Sequence, residues 1–465
     1  MHMLPPFVKK FDFRGIYNQD IFDKDAFYLA LAIQKAIPLK KILVGWDTRK
    51  SSENLAINFM EALKYSKIEI NFLEKCPIDY VTTASNAFPF DFSVMFTGSH
   101  NPWNWTGLLM HTQGGESVQG NLVNTIVENY TAALSTAYVQ PNIDLVDLND
   151  FQSTIEEVYI KRAGELVPFD KIKPMRVLVD VGDGSGSKSL TLLSHYLPQV
   201  VFQRINDREQ YDAQSPHTAD PSNPENMSQL QEAMITEKYD CGFAFDSDSD
   251  RVLALDEKGA YINGSLIGSA MIESFSDLKS SAKKYGYAVE CGPSMFNTAL
   301  EYKELGIEAI PVPVGRSLLR QMVREGKVDV AVENVGHFYV KDFFMTDSGV
   351  FSLLVLLYWI SRFGPLSTLG MKHPDGKRVQ FSQPIQDHQE DILTQLASDI
   401  NAGIGNNDSK SIDVDGIRYE FYQEGRLVTW YAMRPSGYEK IEKYYFGSLS
   451  EKDFSYLQEK IKKEV

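Results

Sequence analysis

KILVGWDTRKSSENLAINFMEAL, residues 41–63, decides the fold class. Lys41–Gly45 is a short apolar run that reads as a strand. Ser52-Glu53-Asn54 opens a helix with a serine cap, and its alanine and leucine periodicity runs through Leu63. A strand feeding a helix is half of a βαβ unit. The connection carries Asp47, Arg49 and two serines. Arg49 reads as an arginine tied to a neighbouring carboxylate rather than as a catalytic group.

The same alternation continues outward. Ile68–Phe72 and Phe92–Phe96 are further strands. The pattern restarts at Met175–Val181, followed by the glycine-rich Gly182–Gly186, a helix over Lys188–Tyr196 and a strand over Cys241–Phe245. It restarts again at Gly286–Glu290, with helices over Met295–Leu305 and Ser317–Glu325 and strands over Glu308–Val312 and Val328–Val332. After Pro365 the stretches Gln380–Asp391, Ser411–Phe421 and Leu427–Ala432 alternate, with acidic helices around Glu390–Ala397 and after Ser450. Three α/β blocks and a smaller α+β domain follow, with expected extents 1–150, 151–258, 259–370 and 371–465.

The bulk properties agree. A chain of 465 residues corresponds to three or four domains at roughly 100–200 residues each. A hydrophobic content of 43% supplies packed cores. The net charge of −16, without a basic segment, argues against nucleic acid. An anionic substrate would need local positive charge or a metal against that field. Cys76, Cys241 and Cys291 fit no metal or disulfide pattern and read as buried thiols in a reducing cytoplasm. The opening MHMLPPFVKKFDF lacks the apolar core of a signal peptide. Val350–Ile360 is too short to span a bilayer and reads as a core helix.

Four stretches carry chemistry. Phe245-Asp-Ser-Asp-Ser-Asp-Arg251 places Asp246, Asp248 and Asp250 at alternate positions between two apolar runs. Three converging carboxylates call for a hard cation, Mg²⁺ or Ca²⁺. An EF-hand needs a glycine, a closing glutamate and flanking helices, all absent here. Phe96–Gly107, FTGSHNPWNWTG, ends a buried strand in Ser99, flanked by glycine, His100 and Asn101. Val332–Phe338 sets Glu333 four residues before His337, a pair able to hold sugar hydroxyls, although a Glu and His at a strand end are more often structural. Met433–Lys440 reads equally as a β-turn, from Pro-Ser-Gly, and as a phosphate cradle of Arg434, Ser436 and the Gly437 turn.

In this order the stretches resemble the α-D-phosphohexomutase family, which includes phosphomannomutase/phosphoglucomutase and phosphoglucosamine mutase. Thr97–Pro102 matches its serine loop and Asp246–Arg251 its metal loop. Val332–His337 and Arg434–Glu439 partly match its sugar and phosphate loops. Asp12–Gly15, Val44–Ser52 and His217–Asn226 match further family stretches. The resemblance spans essentially the whole chain. It implies four domains around a central cleft: three similar α/β domains with mixed sheets and a smaller C-terminal α+β domain. It also implies transfer of phosphoryl between the 1- and 6-positions of mannose or glucose phosphate, through phosphoserine and a hexose 1,6-bisphosphate intermediate. The implied catalytic residues are Ser99, His100, Arg251 and Arg14. The implied Mg²⁺ ligands are Asp246, Asp248, Asp250 and Ser99. The implied substrate ligands are Glu333, Val335, His337, Arg316, Arg434, Ser436, Gly437 and Tyr438. A cytoplasmic monomer or homodimer, without nucleic-acid or membrane partners, completes the expectation.

The departures from the family pattern are specific. Leu109 stands where the family has a lysine near the phosphoserine. Val335 replaces a serine, Val332 a glycine and Tyr438 a threonine. A lysine of the phosphomannomutase branch is absent around Glu290-Cys291-Gly292, and Arg316 stands where that branch often has histidine. The phosphoryl carrier and the metal triad are kept while ligand and proton-transfer positions change. That pattern favours altered specificity or slow activity over an inactive scaffold. The alternatives are a non-catalytic phosphosugar-binding paralogue, phosphoglucosamine-type specificity, or a hydrolase that releases phosphate.

Overall fold

Lys41–Trp46 is buried along nearly its whole length, so it must sit inside a sheet covered on both faces. In the computed structural model it pairs in parallel with Glu69–Leu73 on one side and Phe92–Phe96 on the other. The structure describes residues 5–8, 13–384, 398–399, 402–404, 408–436 and 441–464. They fall into two compact units. Unit 1 is Met1–Tyr261 with Asp342–Ser361, and unit 2 is Ile262–Lys341 with Arg362–Val465.

The first sheet of unit 1 runs Phe13–Ile16, Trp105–Thr112, Phe92–Phe96, Lys41–Trp46, Glu69–Leu73, Asn149–Asp150. Trp105–Thr112 is antiparallel to both of its neighbours, so the sheet is mixed. Val44, Phe96 and Leu108 pack with Leu29, Ile33, Leu55, Phe59 and Ile126 from helices Asp23–Ala36, Lys50–Leu63 and Asn121–Ala133. The helix expected to open at Ser52 begins at Lys50, and Ser52 is not its cap. Arg49 occupies the cap position, and its guanidinium turns toward the serine loop instead of the helix. Ser52 is buried and bonds Thr106 Oγ1 at 3.2 Å.

The second sheet of unit 1 places Met175–Asp180 between Val200–Ile205 and Cys241–Phe245, all parallel. Val252–Leu255 then folds back antiparallel to Cys241–Phe245, with Phe245 opposite Val252. Residues 246–251 are therefore a hairpin connection, tight enough to force three carboxylates together. The apolar stretch after Asp347 forms the buried helix Gly349–Phe363, capped by the Ser348 hydroxyl, which accepts from Phe351 N at 3.0 Å. Among the described residues no helix is long and apolar enough to cross a membrane. The three cysteines are free and buried, and burial pushes Cys76 up to about 12, so they read as packing groups.

Unit 2 holds a sheet that includes Glu308–Val312, Lys284–Ala288, Val330–Val332 and Phe338–Val340, parallel except for the last strand. Its β-rich part is an antiparallel sheet ordered Lys377–Pro384, Ile441–Ser448, Arg426–Pro435, Ile417–Gln423, Asp408–Asp413. The alternation over Ser411–Phe421 thus resolves into two strands, turned at Asp415-Gly416. Phe421, Tyr431 and Phe446 on one face bury Phe454 and Leu457 of the helix Glu451–Glu464. The expected acidic helix around Glu390–Ala397 lies outside the described residues.

The other face of that sheet carries a buried ion pair. Arg418 Nε donates to Glu420 Oε1 at 2.7 Å, and both side chains are fully buried. Arg418 also donates to Val289 O and Cys291 O and stacks 4.4 Å from the Trp430 ring. Truncation leaves Glu420 buried and uncompensated, a loss typically worth about 3–5 kcal/mol. Arg418→Ala should lower stability by about that amount in chemical denaturation. A change below about 1 kcal/mol would show that the pair does not join these elements.

Candidate active site

The serine loop follows the buried strand Phe92–Phe96. Ser99 is 5% exposed and has φ +48°, a conformation that a non-glycine residue holds only when its surroundings fix it. Those surroundings are explicit. Arg49 Nη2 donates to Ser99 O at 2.7 Å and to Asn101 O at 2.8 Å. Ser247 Oγ donates to the same Ser99 carbonyl at 2.7 Å. Arg49 Nη1 bonds Ser247 Oγ and Asp47, and the Arg49 guanidinium lies 4.6 Å from the Tyr211 ring. A Cβ on Gly98 would sit 2.5 Å from Trp105 O and 2.7 Å from Arg49 Cζ, so only glycine allows this approach.

The loop is therefore gripped by its backbone. Ser99 N donates to Thr97 Oγ1 at 2.8 Å, and Thr97 Oγ1 donates to Asp248 Oδ2 at 2.8 Å. A two-bond relay thus ties the serine loop to the acidic hairpin. The Ser99 hydroxyl lies 3.3 Å from His100 Nδ1, which accepts from Arg251 Nη2 at 2.9 Å. A guanidinium can only donate, so Nδ1 carries no proton and its one lone pair is engaged by Arg251, with the serine hydroxyl at its edge.

Asp246, Asp248 and Asp250 are at most 1% exposed, and each offers a carboxylate oxygen within 4.8 Å of the others. Burial first, then the charges of Asp250 and Asp248, push Asp246 well above the usual carboxylate range, while Arg251 opposes the shift. Among the described residues Asp246 Oδ2 meets no hydrogen-bond donor, Arg251 Nε standing 3.8 Å off. Arg251 N donates to Asp246 Oδ1 at 3.1 Å, and its guanidinium lies 3.6 Å from Asp220. Two helix starts donate into the hairpin: Ile78 N to Asp248 O, and Gly349 N to Ser249 O, both at 3.0 Å. Helix N-termini favour negative charge. Gly184 packs so closely that a Cβ would fall 2.6 Å from Ser247 O. The donor set, buried oxygen ligands of high charge with an unsatisfied oxygen, suits a hard divalent cation.

The remaining expected residues lie as follows. Arg14 is on the strand Phe13–Ile16, opposite Gly107, and is half-buried. Leu109 stands opposite Met95 on the neighbouring strand. In unit 2, residues 333–337 form a tight hairpin: Glu333 N donates to His337 O, Gly336 N donates to Glu333 O, and Gly336 has φ +104°. Glu333 is buried and accepts from Gly315 N at 2.9 Å. Val335 is half-buried in this turn, and the His337 ring stacks 6.0 Å from Tyr339. Arg316 is the first residue of the helix Arg316–Arg324. Arg434 pairs with Asp415 at 3.2 Å, and Ser436 N donates to Ile441 O. Gly437 and Tyr438 lie outside the described residues.

Sequence reasoning missed the reach of Arg49. Its pairing with Asp47 was legible from their spacing, but its hold on the Ser99 and Asn101 carbonyls was not. Thr97 and Ser247 were read only as small loop residues, although they form the tethers.

Family models described as phosphoglucomutase/phosphomannomutase alpha/beta/alpha domains I, II and III match residues 7–137, 157–259 and 267–375. The chain is 25% identical to phosphomannomutase of Methanocaldococcus jannaschii over 465 aligned positions, covering 98% of this chain and 96% of that protein. It is 27% identical to phosphoglucosamine mutase of Clostridium kluyveri over 400 positions, covering 80% and 84%. A crystal structure of a phosphoglucomutase/phosphomannomutase family protein from Burkholderia thailandensis superposes with a TM-score of 0.80 at 21% identity, covering 99% of this chain and 97% of that one.

The crowded carboxyl groups make a stability prediction. Asp246 is raised, and burial raises Asp79 to about 7 and Glu290 to about 7. Each folded-state value exceeds the unfolded one, so the folded chain binds more protons between them and loses stability as pH rises. The melting temperature of chelator-treated protein should therefore fall from about pH 5 to about pH 7. Added Mg²⁺ should reverse the part of the fall that Asp246 causes, since it replaces the proton at the triad, and leave the part from Asp79 and Glu290. A flat profile, unmoved by Mg²⁺, would contradict the carboxylate crowding described above.

Proposed function

The chain belongs to the phosphoglucomutase/phosphomannomutase family, and from that premise we propose that Ser99 carries the phosphoryl group moved between the 1- and 6-oxygens of a hexose phosphate. As a member of that family it is a phosphohexomutase, an intramolecular phosphotransferase. What we add is the sugar, mannose or glucose, the four-domain division near residues 150, 258 and 370, and the residue roles. The observation that carries this reading is the pair of tethers joining Ser99 to the acidic hairpin: Ser247 Oγ on the Ser99 carbonyl, and Thr97 Oγ1 on Asp248.

The 1- and 6-oxygens lie at opposite ends of one sugar, so direct transfer is not available. Phosphoserine gives its group to the free hydroxyl: the Ser99 Oγ–P bond breaks as the sugar O–P bond forms, and the proton lost by the sugar hydroxyl ends on Ser99 Oγ. The product is a hexose 1,6-bisphosphate, which also primes the unphosphorylated enzyme. After the bisphosphate turns over, its other phosphoryl group returns to Ser99.

Asp246, Asp248 and Asp250 would hold Mg²⁺, with Ser99 or its phosphate as a further ligand; the ion would neutralise charge on the transferring oxygens. His100 Nδ1, 3.3 Å from Ser99 Oγ, would take the serine proton when phosphoryl returns, once Arg251 turns from it to the incoming phosphate. Arg251, fixed by Asp246 and Asp220, would stabilise negative charge beside it. Arg14 would meet a phosphate oxygen. Glu333 would accept sugar hydroxyls beside His337 and Val335, while Arg434, Ser436, Gly437, Tyr438 and Arg316 would hold the phosphate that is not reacting. Leu109 favours a second reading, a phosphosugar-binding protein without turnover, because a half-buried leucine cannot move a proton.

A coupled assay with glucose 1-phosphate or mannose 1-phosphate, Mg²⁺ and trace bisphosphate separates these readings. Ser99→Ala should abolish turnover and remove a mass increment of one phosphate from the primed chain. Arg49→Lys, which loses the forked hold on two carbonyls, should lower kcat by about 10–100-fold while changing KM little. Ser99-independent turnover would sink the phosphoserine role. Binding without any turnover would leave the second reading standing.

A further inference from the structure

Asp79, the second residue of the helix Ile78–Ala87, is fully buried, and the phosphoryl chemistry makes no use of it. Its Oδ2 accepts from the Tyr159 hydroxyl at 2.8 Å and from the Ser348 hydroxyl. Its Oδ1 is buried and meets no donor among the described residues. Burial raises the group to about 7, and the two hydroxyl bonds act against that shift. A buried carboxyl with one unmet oxygen costs stability, so packing alone does not account for it.

The elements it joins are distant in sequence: its own helix, Tyr159 of the helix Gln152–Leu166, and Ser348 at the start of the helix Gly349–Phe363. All lie in unit 1, as does the acidic hairpin. Asp79 and Ser348 each stand one residue from an amide that holds that hairpin. Ile78 N donates to Asp248 O and Gly349 N to Ser249 O, both at 3.0 Å. A Cβ on Gly349 would fall 2.7 Å from Arg251 O and 2.8 Å from Ser249 O, so this helix start is pressed against the hairpin backbone. Ser249, between two of the aspartates, has φ +62°, a conformation that must be held by its surroundings. A second stitch, Thr82 Oγ1 to Thr346 Oγ1 at 2.6 Å, joins the same two segments.

The hairpin backbone is thus gripped between two helix starts, and the Asp79–Ser348 bond fixes their separation. We propose that Asp79 is a positioning residue for the metal site: by locking the two helix starts it holds Asp246, Asp248 and Asp250 in the arrangement that binds Mg²⁺. It is not itself one of the converging carboxylates. This rests on the reading of the triad as the Mg²⁺ site and names what sets its affinity. Metal ligands hold an ion tightly when outer groups fix their orientation, and loss of such a group typically costs about 10–100-fold in affinity. With the lock broken, both amides can drift from the carbonyls of Asp248 and Ser249. The carboxylates, which repel one another, then spread apart.

Calorimetric titration of the chelator-stripped full chain with Mg²⁺ reads this lock directly. Asp79→Ala should weaken Mg²⁺ binding about tenfold or more. Asp79→Asn, whose amide oxygen can still accept from both hydroxyls, should recover most of that loss. Tyr159→Phe deletes one bond, keeps the ring, and should weaken binding about threefold. Parent-like affinity in Asp79→Ala overturns the proposal. So does an Asp79→Asn chain as weak as Asp79→Ala, which would make the charge and not the lock responsible. Should Asp79→Ala fail to fold, Tyr159→Phe decides, and unchanged affinity there overturns the proposal. Arg418→Ala, which breaks the ion pair of unit 2, controls for general loss of stability, and an equal loss of Mg²⁺ affinity in it also overturns the proposal. Ser99-dependent turnover with an affinity untouched by Asp79→Ala refutes this inference alone. The expected losses of affinity, with turnover that survives Ser99→Ala, refute the phosphoserine reading and leave the lock intact.

Discussion

Three carboxylates held in a dry hairpin are the constraint on which unit 1 depends. Like charges within a few ångströms in a poorly solvated loop repel strongly, and no packing of apolar groups offsets that. The chain answers with every device available to it: two helix starts aimed at the loop, an arginine immediately after it, and a threonine hydroxyl on the middle aspartate. None of these removes the repulsion, and Asp246 remains shifted toward the protonated form. The hairpin is thus incomplete as a purely protein structure, which is what a binding site for a small hard cation requires.

The serine loop borrows its rigidity from that hairpin. Nearly every contact that fixes Ser99 runs through the backbone: its carbonyl to Arg49 and Ser247, its amide to Thr97. Among the described residues the hydroxyl is left with one weak contact, His100 Nδ1 at 3.3 Å, an atom already engaged by Arg251. A side chain held through its backbone and free at its tip can be covalently modified without dismantling the loop. The left-handed φ of Ser99 has the same cause. A relaxed loop would not bring its carbonyl to the Arg49–Ser247 pair, and the strain is offset by those bonds.

Much of this was legible in the sequence because the signals were local. Buried parallel strands announce themselves as apolar runs, and Phe92–Phe96 and Cys241–Phe245 have the ends their composition implies. The hairpin was legible because three alternate aspartates between apolar runs have few structural uses. Other features depended on distant partners. Ser52 resembles a cap, but helix Lys50–Leu63 starts earlier, since Thr106 claims the Ser52 hydroxyl and Arg49 is drawn to a loop fifty residues on. Likewise, Ser247 sits among aspartates that draw all the attention, while its role is defined by a carbonyl 148 residues away.

The departures from the family pattern separate by physical role. Groups that hold the serine loop and the acidic hairpin act through geometry, and a substitution there unmakes the whole arrangement. Groups that read a ligand can change one at a time, because the cost falls on which molecule binds and not on the fold. The stretch Glu290-Cys291-Gly292, around which a lysine of the phosphomannomutase branch is absent, shows how firmly such positions are framed: its backbone is fixed on both sides of Glu290 by Arg418. A carboxyl group in so rigid a frame cannot be moved into water, and its cost has to be met by its neighbours, of which Asn334 N is the described donor.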